Sequence, residues 1–302
     1  MSGPTTLPQI SVVIACVNGL PSIAECLDAL RKQQGDVAAE IIVVNCCQDG
    51  TADLIRRKYP DVRLLHLAER LGIPELRAMG MAQARGEIIA ITEDHCLAAE
   101  DWFREILKAH ELGYPAVGGA VENASVSRLV DWAVYLCEYS PLMRPIPSGE
   151  VGGIAGNNAA YRREVLTALD ESLKKNYWEF FIHEEMKKGG VKFFSVPTMV
   201  VFHKKSFSFL YFLSQRFHYS RSFAAMRKTR VSLARRFCYL ASSPLLPLLM
   251  IWRMGQQVFH KKRHQKEFVL SLPLLAMFMV SYAFGEFWGY LAGPGESLSK
   301  VE

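Results

Sequence analysis

The sequence predicts an α/β fold, a mostly parallel sheet flanked by helices, followed by a C-terminal helical membrane region. Three observations predict it. Apolar, β-branched runs alternate with helical periodicity over the first hundred residues, the rhythm of βαβ units. Each run closes in polar or glycine-containing turns, at the end where open parallel sheets bind ligands. Beyond residue 203 the composition turns basic and aromatic, then continuously apolar. The 302 residues are 50% hydrophobic and 22% charged, with a mean hydropathy of +0.08. Those values exclude a disordered chain, a collagen-like chain and a small disulfide scaffold.

The elements follow in order. Residues 10–17 (ISVVIACV) read as a strand buried on both faces. Asn18-Gly19 turns the chain, and Pro21-Ser22 opens a helix with Ile23, Cys26, Leu27 and Leu30 on one side. Residues 40–45 form a second buried strand. The turn Gln48-Asp49-Gly50-Thr51 leads into a helix through about Lys58. A short strand at 62–67, a helix over 72–84 and a strand at 87–91 follow, the last running into Thr92-Glu93-Asp94-His95. Residues 102–161 are less regular, with Gly118-Gly119 and Gly152-Gly153 read as loops around shorter strands. Residues 178–190 fit a short helix ended by Gly189-Gly190, and 193–201 a further strand. The polar residues just past the strand ends are Asn18, Asn45, Asp49, Glu93, Asp94 and His95, where a ligand site belongs.

Charge separates the two ends. Residues 203–266 carry 14 of the 35 Lys and Arg and none of the 30 Asp and Glu. A basic segment suits nucleic acid or an anionic membrane surface. The apolar segments beside this one favour the membrane and argue against nucleic acid. Residues 207–226 mix aromatic and basic side chains, as an interfacial helix does. Residues 237–252 hold no charge but contain Pro244 and Pro247. With basic residues on both flanks, they read as re-entrant or interfacial under the positive-inside rule. Residues 268–292 read as a crossing, with one acid, Glu286. The expected domains are 1–205, 206–236 and 237–302. Seven cysteines without a CxxC pair, and an N-terminus without a basic-then-apolar leader, favour a reducing cytosolic setting.

As an ordered set, the motifs resemble the family 2 glycosyltransferases. These are inverting enzymes of the GT-A fold, a Rossmann-like architecture, and the match is to a membrane-attached branch. Ser11–Asn18 is similar to the SVVIPTYN opening of that family. Val43–Thr51 is similar to its VVD…S.DGT segment. Leu71-Gly72…Arg77…Gly80…Arg85-Gly86-Glu87 is similar to its G…aR..G…A.Ge stretch. Glu93-Asp94-His95 falls on its DxD strand, and Gly156–Arg163 on its G.N.a.RR segment. The resemblance implies a nucleotide-sugar donor, most simply UDP-linked, held by Ala15, Val17, Asn18, Asn45, Asp49, Arg77, Glu93 and Asp94. It implies a divalent ion, Mn²⁺ or Mg²⁺, on Glu93, His95 and His203, with Asp94 as an alternative ligand. Glu179, eleven residues before Gly190, takes the place of the catalytic base. Gly156 and Asn157 fall on the acceptor and diphosphate side. So do Gln215, Arg216 and His218, in register with the QxxRW motif of processive synthases. Asn45 replaces an acid that contacts the base, and its amide oxygen is expected to accept from a base N–H.

The residue types suit the chemistry. A nucleotide sugar leaves with a diphosphate, whose charge a divalent ion and cationic side chains stabilise. A carboxylate on the opposite face takes the acceptor proton. The expected acceptor is a lipid or lipid-linked glycan, reached at the cytoplasmic face of a membrane of the bacterial inner-membrane kind. Two alternatives stand beside this. One is a cell-envelope polysaccharide transferase merely anchored to the membrane. The other is a non-catalytic nucleotide-binding or scaffold protein of the same fold.

Overall fold

The computed structural model describes residues 7–20, 22–169 and 177–301. Pro21, expected to open the first helix, lies outside the described residues. The chain divides into two compact units. The first holds residues up to 122 and 144–204; the second holds 123–143 and 205 onward.

The first unit is built on one sheet. Strands β1 (Ile10–Cys16), β2 (Ala39–Asn45), β3 (Arg63–His66) and β4 (Ile88–Glu93) pair in parallel, in the order β3-β2-β1-β4. Helices α1 (Ser22–Arg31), α2 (Thr51–Lys58) and α3 (Ile73–Gln83) connect them. All seven residues of β1 are buried, as expected for a strand covered on both faces. Asp49 shapes the turn into α2: its carboxylate accepts from the Leu20 and Thr51 amides, at 3.1 and 3.0 Å. Gly50 there has φ 84°, a left-handed conformation that glycine adopts without strain.

The sheet continues past β4 in mixed directions. Strands β5 (Cys96–Ala98), β6 (Ala116–Asn123), β7 (Gly149–Val151), β8 (Ala159–Arg162) and β9 (Phe193–His203) complete it, with β8 antiparallel to β4 and β6. β5 and β7 are antiparallel to β9. The parallel pattern therefore holds for four strands only. Helices α4 (Trp102–Glu111), α6 (Arg163–Thr167) and α7 (Glu179–Lys188) also belong to this unit. Gly118-Gly119 sits inside β6 and not in a loop. A Cβ at Gly119 would lie 1.7 Å from the Met199 carbonyl oxygen, so the glycine permits a close approach of two backbones.

The second unit is helical. It comprises α5 (Leu129–Tyr139), α8 (Phe209–Lys228), α9 (Leu233–Ser242), α10 (Leu246–Lys261) and α11 (Gln265–Ala292). Its core joins Ala133, Leu136 and Met143 to Phe212, Val258, Leu275 and Phe278. α8 covers most of the segment expected to be interfacial, and one side of it is packed. Phe212, Gln215, Arg216, Ser220, Phe223 and Ala224 are buried in the unit. Pro244 and Pro247 do not break the segment around them. Each occupies the first turn of its helix, Pro244 in a 3₁₀ turn and Pro247 in α10, where no backbone N–H is needed. Leu233–Lys261 and Gln265–Ala292 are both long and apolar enough to cross a membrane.

Two buried imidazoles give the first unit an acid weakness. Burial pushes His183 down to about 4, with Lys187 adding to the effect. Burial also pushes His110 down to about 4, against a hydrogen bond to the Tyr114 carbonyl. Both rings stay neutral in the fold, while the unfolded chain takes up protons below its ordinary value near 6.5. Stability should be flat above pH 6.5 and fall as the pH drops toward about 4, by about 3 kcal/mol per ring at most. Melting temperatures of the full chain across that range test this. His183→Gln should flatten the slope, and an unchanged slope in that variant would count against the assignment.

Candidate active site

The carboxyl ends of β1, β2 and β4 bring Cys16, Asn45 and Glu93 side by side, since Cys16 pairs with Asn45 and Ala15 with Glu93 in register. β9 delivers His203 opposite Cys96, one residue past His95. The ligand atoms of Glu93, His95 and His203 all lie within 4.8 Å of one another. The two imidazoles meet edge to face, with centroids 4.7 Å apart. His95 Nδ1 lies 2.6 Å from Asp94 Oδ1, and Nε2 lies 3.3 Å from Glu93 Oε2. A carboxylate at Nδ1 is the usual second partner of a ligating histidine, and with an ion bound it would leave the Nε2 lone pair for the metal. Asp94 thus orients His95, and its other oxygen accepts from the Cys16 thiol at 3.3 Å.

Arg77 ties this cluster to the helix-borne acid. Its guanidinium is buried, donates to Glu93 Oε1 at 2.9 Å and forms an ion pair with Glu179. Glu179 opens α7, where the helix dipole favours a carboxylate. Burial alone would push the Glu93 carboxyl up. His95, Arg77 and His203 outweigh it and hold that carboxyl well below the usual carboxylate range.

Glu93, Asp94 and Glu179 against one Arg77 leave two negative charges, which a divalent cation would balance. One carboxylate and two imidazoles suit Mn²⁺ or a later transition metal better than Mg²⁺, which prefers oxygen ligands. The residues present therefore fit such an ion.

The remaining expected residues separate. Gly156 is at the site, because a Cβ there would come within 2.8 Å of Glu179 Cδ. Asn157 is buried and its Nδ2 lies 3.6 Å from Cys96 Sγ, while its Oδ1 has no partner. Asn45 is fully buried, and its Oδ1 accepts from the Cys47 amide at 2.5 Å. Only an oxygen can accept there, so the group left over is Nδ2, which has no partner. Beside the oxygen expected to accept, Asn45 therefore also offers a donor. Asn45 Nδ2, Arg77 Nε, Thr92 Oγ1 and Asn157 Oδ1 are all buried and unpartnered, a concentration that ligand sites commonly show. Ala15 and Val17 are buried and offer backbone only, and Asp49 is committed to its turn. In the second unit, Gln215 donates to the Lys300 carbonyl, Arg216 pairs with Glu138 and His218 meets Ser297 Oγ. Those contacts occupy the three residues within their own unit.

Sequence reasoning missed His183 and Tyr161. The Tyr161 hydroxyl and His183 Nε2 are 2.7 Å apart. Both line a cavity of about 20 Å³ with Arg77, Glu179 and Ile182, room for a single water. The available signal was spacing: His183 follows Glu179 by four residues, on the same helix face.

Comparison with known proteins agrees with this geometry. Residues 11–169 match the model of glycosyl transferase family 2, more than half of the chain. The chain belongs to that family. It is 32% identical over 124 residues to the glycosyltransferase AglE of Haloferax volcanii, covering 39% of this chain and 41% of that one. It is 24% identical over 159 residues to the succinoglycan biosynthesis protein ExoO of Rhizobium meliloti, covering 52% and 45%. The matches thus span less than half the length of these relatives. Among solved structures, it resembles the mannosyltransferase PcManGT of Pyrobaculum calidifontis, in complex with GDP-Man and Mn²⁺. The TM-score is 0.58 at 19% identity, over 94% of this chain and 88% of that one. The likeness shows a shared GT-A fold.

Arg77→Ala would leave two half-buried carboxylates without their counter-charge. It should cost about 3 kcal/mol or more and lower the melting temperature clearly, whereas Arg77→Lys should recover part of the loss. Equal melting of Arg77→Ala and the parent would show that the ion pairs do not form in solution.

Proposed function

We propose that the chain transfers a sugar from a nucleotide-sugar donor to a lipid or lipid-linked acceptor, with inversion and with a divalent cation. One observation carries the reading: a single buried guanidinium holds both Glu93 of the cation-compatible triad and Glu179. That pairing supports leaving-group stabilisation and proton acceptance at one site.

Glu93, His95 and His203 would hold the ion, which when bound neutralises the diphosphate as it leaves. Asp94 keeps His95 in its ligating tautomer. Arg77 and Gly156 set the Glu179 carboxylate, Arg77 by pairing and Gly156 by leaving room. Glu179 accepts the proton of the acceptor hydroxyl as that oxygen attacks the anomeric carbon from the face opposite the diphosphate. One displacement of this kind inverts the centre. At the far end of the donor, the Asn45 Nδ2 donor suits a carbonyl or ring-nitrogen acceptor on the base, which uracil satisfies through its carbonyls. The basic, aromatic second unit supports a lipid-linked acceptor.

The test is nucleoside diphosphate release from a panel of nucleotide sugars, with membranes containing the full chain and a lipid extract. Glu179→Gln should lower turnover roughly 10²- to 10⁴-fold, the span of general-base catalysis, with donor affinity nearly unchanged. Mn²⁺ should raise the melting temperature of the parent but not of His203→Ala, and should support turnover better than Mg²⁺. Full turnover in Glu179→Gln would transfer the base role elsewhere. No donor-dependent release at all would favour a binding protein of the same fold.

A further inference from the structure

We propose that Cys16 and Cys47 are an oxidative modification site: a small peroxide joins them in a reversible disulfide, and that bond weakens donor binding. The bond itself is independent of the transferase reading; its effect on the donor rests on that reading.

The two sulfurs come from neighbouring strand ends. Cys16 closes β1 and pairs in register with Asn45, the last residue of β2. Cys47 follows two residues later, on the turn into α2. The two Sγ atoms face each other at 3.6 Å. A disulfide of about 2.05 Å therefore needs a closure of only about 1.5 Å. The other thiols of the first unit face oxygen or nitrogen. Cys46 Sγ points at the Cys16 and Leu71 carbonyls, both at 3.9 Å. Cys26 Sγ donates to the Glu93 carbonyl at 3.4 Å, and Cys96 Sγ accepts from Asn157 Nδ2 at 3.6 Å. The geometry selects one pair.

The two cysteines have different roles. Cys47 Sγ accepts from the Gly19 amide at 3.3 Å, a donor that favours its thiolate, the form that attacks a peroxide. Cys16 gives its proton to Asp94 Oδ2 at 3.3 Å, which leaves its lone pairs for Cys47. The Cys47 thiolate takes one oxygen of the peroxide: an S–O bond forms, the O–O bond breaks, and hydroxide leaves. Cys16 Sγ then attacks the resulting sulfenic acid. The S–S bond forms, the S–O bond breaks, and the departing hydroxide takes the Cys16 proton as water. The two thiols lose two electrons and two protons in all, and hydrogen peroxide becomes two waters. Both side chains are buried, which admits hydrogen peroxide and shuts out a bulky protein oxidant. In a reducing compartment such bonds are more often transient and redox-sensing than structural.

The bond would act on the turns around it. A Cβ at Gly19 would lie 2.5 Å from Cys16 Sγ and 2.7 Å from Thr51 Cγ2, so the turn after β1 is packed on both residues. The Thr51 and Leu20 amides in turn donate to Asp49. Drawing Cys16 Sγ toward Cys47 removes the thiol donor from Asp94, which orients His95. It also disturbs the packing that sets Asn18, Asn45 and Asp49, the residues expected to hold the donor.

The full chain, purified in detergent, would be treated with hydrogen peroxide, quenched, alkylated and digested. Mass spectrometry should find one linked peptide pair, Cys16 to Cys47, which dithiothreitol separates. The link should persist in Cys46→Ser and Cys26→Ser and vanish in Cys47→Ser and Cys47→Ala. Titration with uridine and guanosine diphosphates in Mn²⁺ should show the accepted nucleotide binding roughly tenfold more weakly after oxidation, an ordinary size for coupling between two sites. Dithiothreitol should restore the reduced value. Each variant is compared with itself before and after peroxide, and the Cys47 variants should show no change. Saturating nucleotide should slow formation of the bond, since each state disfavours the other. No linked pair, a link through Cys46 or Cys26, or equal affinity in both forms would overturn the proposal. Reduced protein that binds neither nucleotide would count against the transferase reading, while the linked peptide would still decide the bond.

Discussion

The buried guanidinium of Arg77 is the constraint around which the first unit is arranged. A cation taken out of water must be paired, and here its partners come from two distant stretches of chain, Glu93 at the end of β4 and Glu179 at the start of α7. The pairing fixes the helix-borne acid against the carboxyl end of β4. It also leaves the site with a surplus of negative charge, so the same residue that organises the acids creates the demand for a cation. Gly156 is part of that geometry, since any side chain there would occupy the space of the Glu179 carboxylate.

Much of this was legible in the sequence. The runs 10–17 and 40–45 could only be strands buried on both faces, and the polar residues after them fell at the site because parallel strands all end on one side. Glu93, His95 and His203 were singled out through the family resemblance, and the fold brings their ligand atoms together. The antiparallel half was not legible. Strands of three or four residues, such as β5 and β8, carry too few side chains to show a period, and Gly118-Gly119 mimicked a turn while serving a close backbone approach. Asn45 shows a different limit. The sequence gives an amide but not which end of it is consumed locally, and the Cys47 N–H decides that.

The helical unit is legible in composition and not in arrangement. Aromatic and basic residues in α8 suggested a surface helix, but Arg216 finds Glu138 and Phe212 finds Phe278. Such pairings over long sequence separation leave no periodic trace. Pro244 and Pro247 sit in first turns, where helices tolerate them. Sequence pattern reports what a helix could do with its faces; only the packing shows which face is left over.

The excursion of residues 123–143 into the second unit bears on modularity. The strand order β6 to β8 is interrupted by a helix whose Ala133, Val134, Tyr135 and Leu136 are buried among α8, α10 and α11 in a shared core. A gene fragment ending near residue 204 would still encode that helix but none of its partners. Its apolar side would then face water, inviting aggregation. The sugar-handling half is therefore not a detachable cassette: the chain is stitched through its helical half, and the two must be inherited, expressed and engineered together.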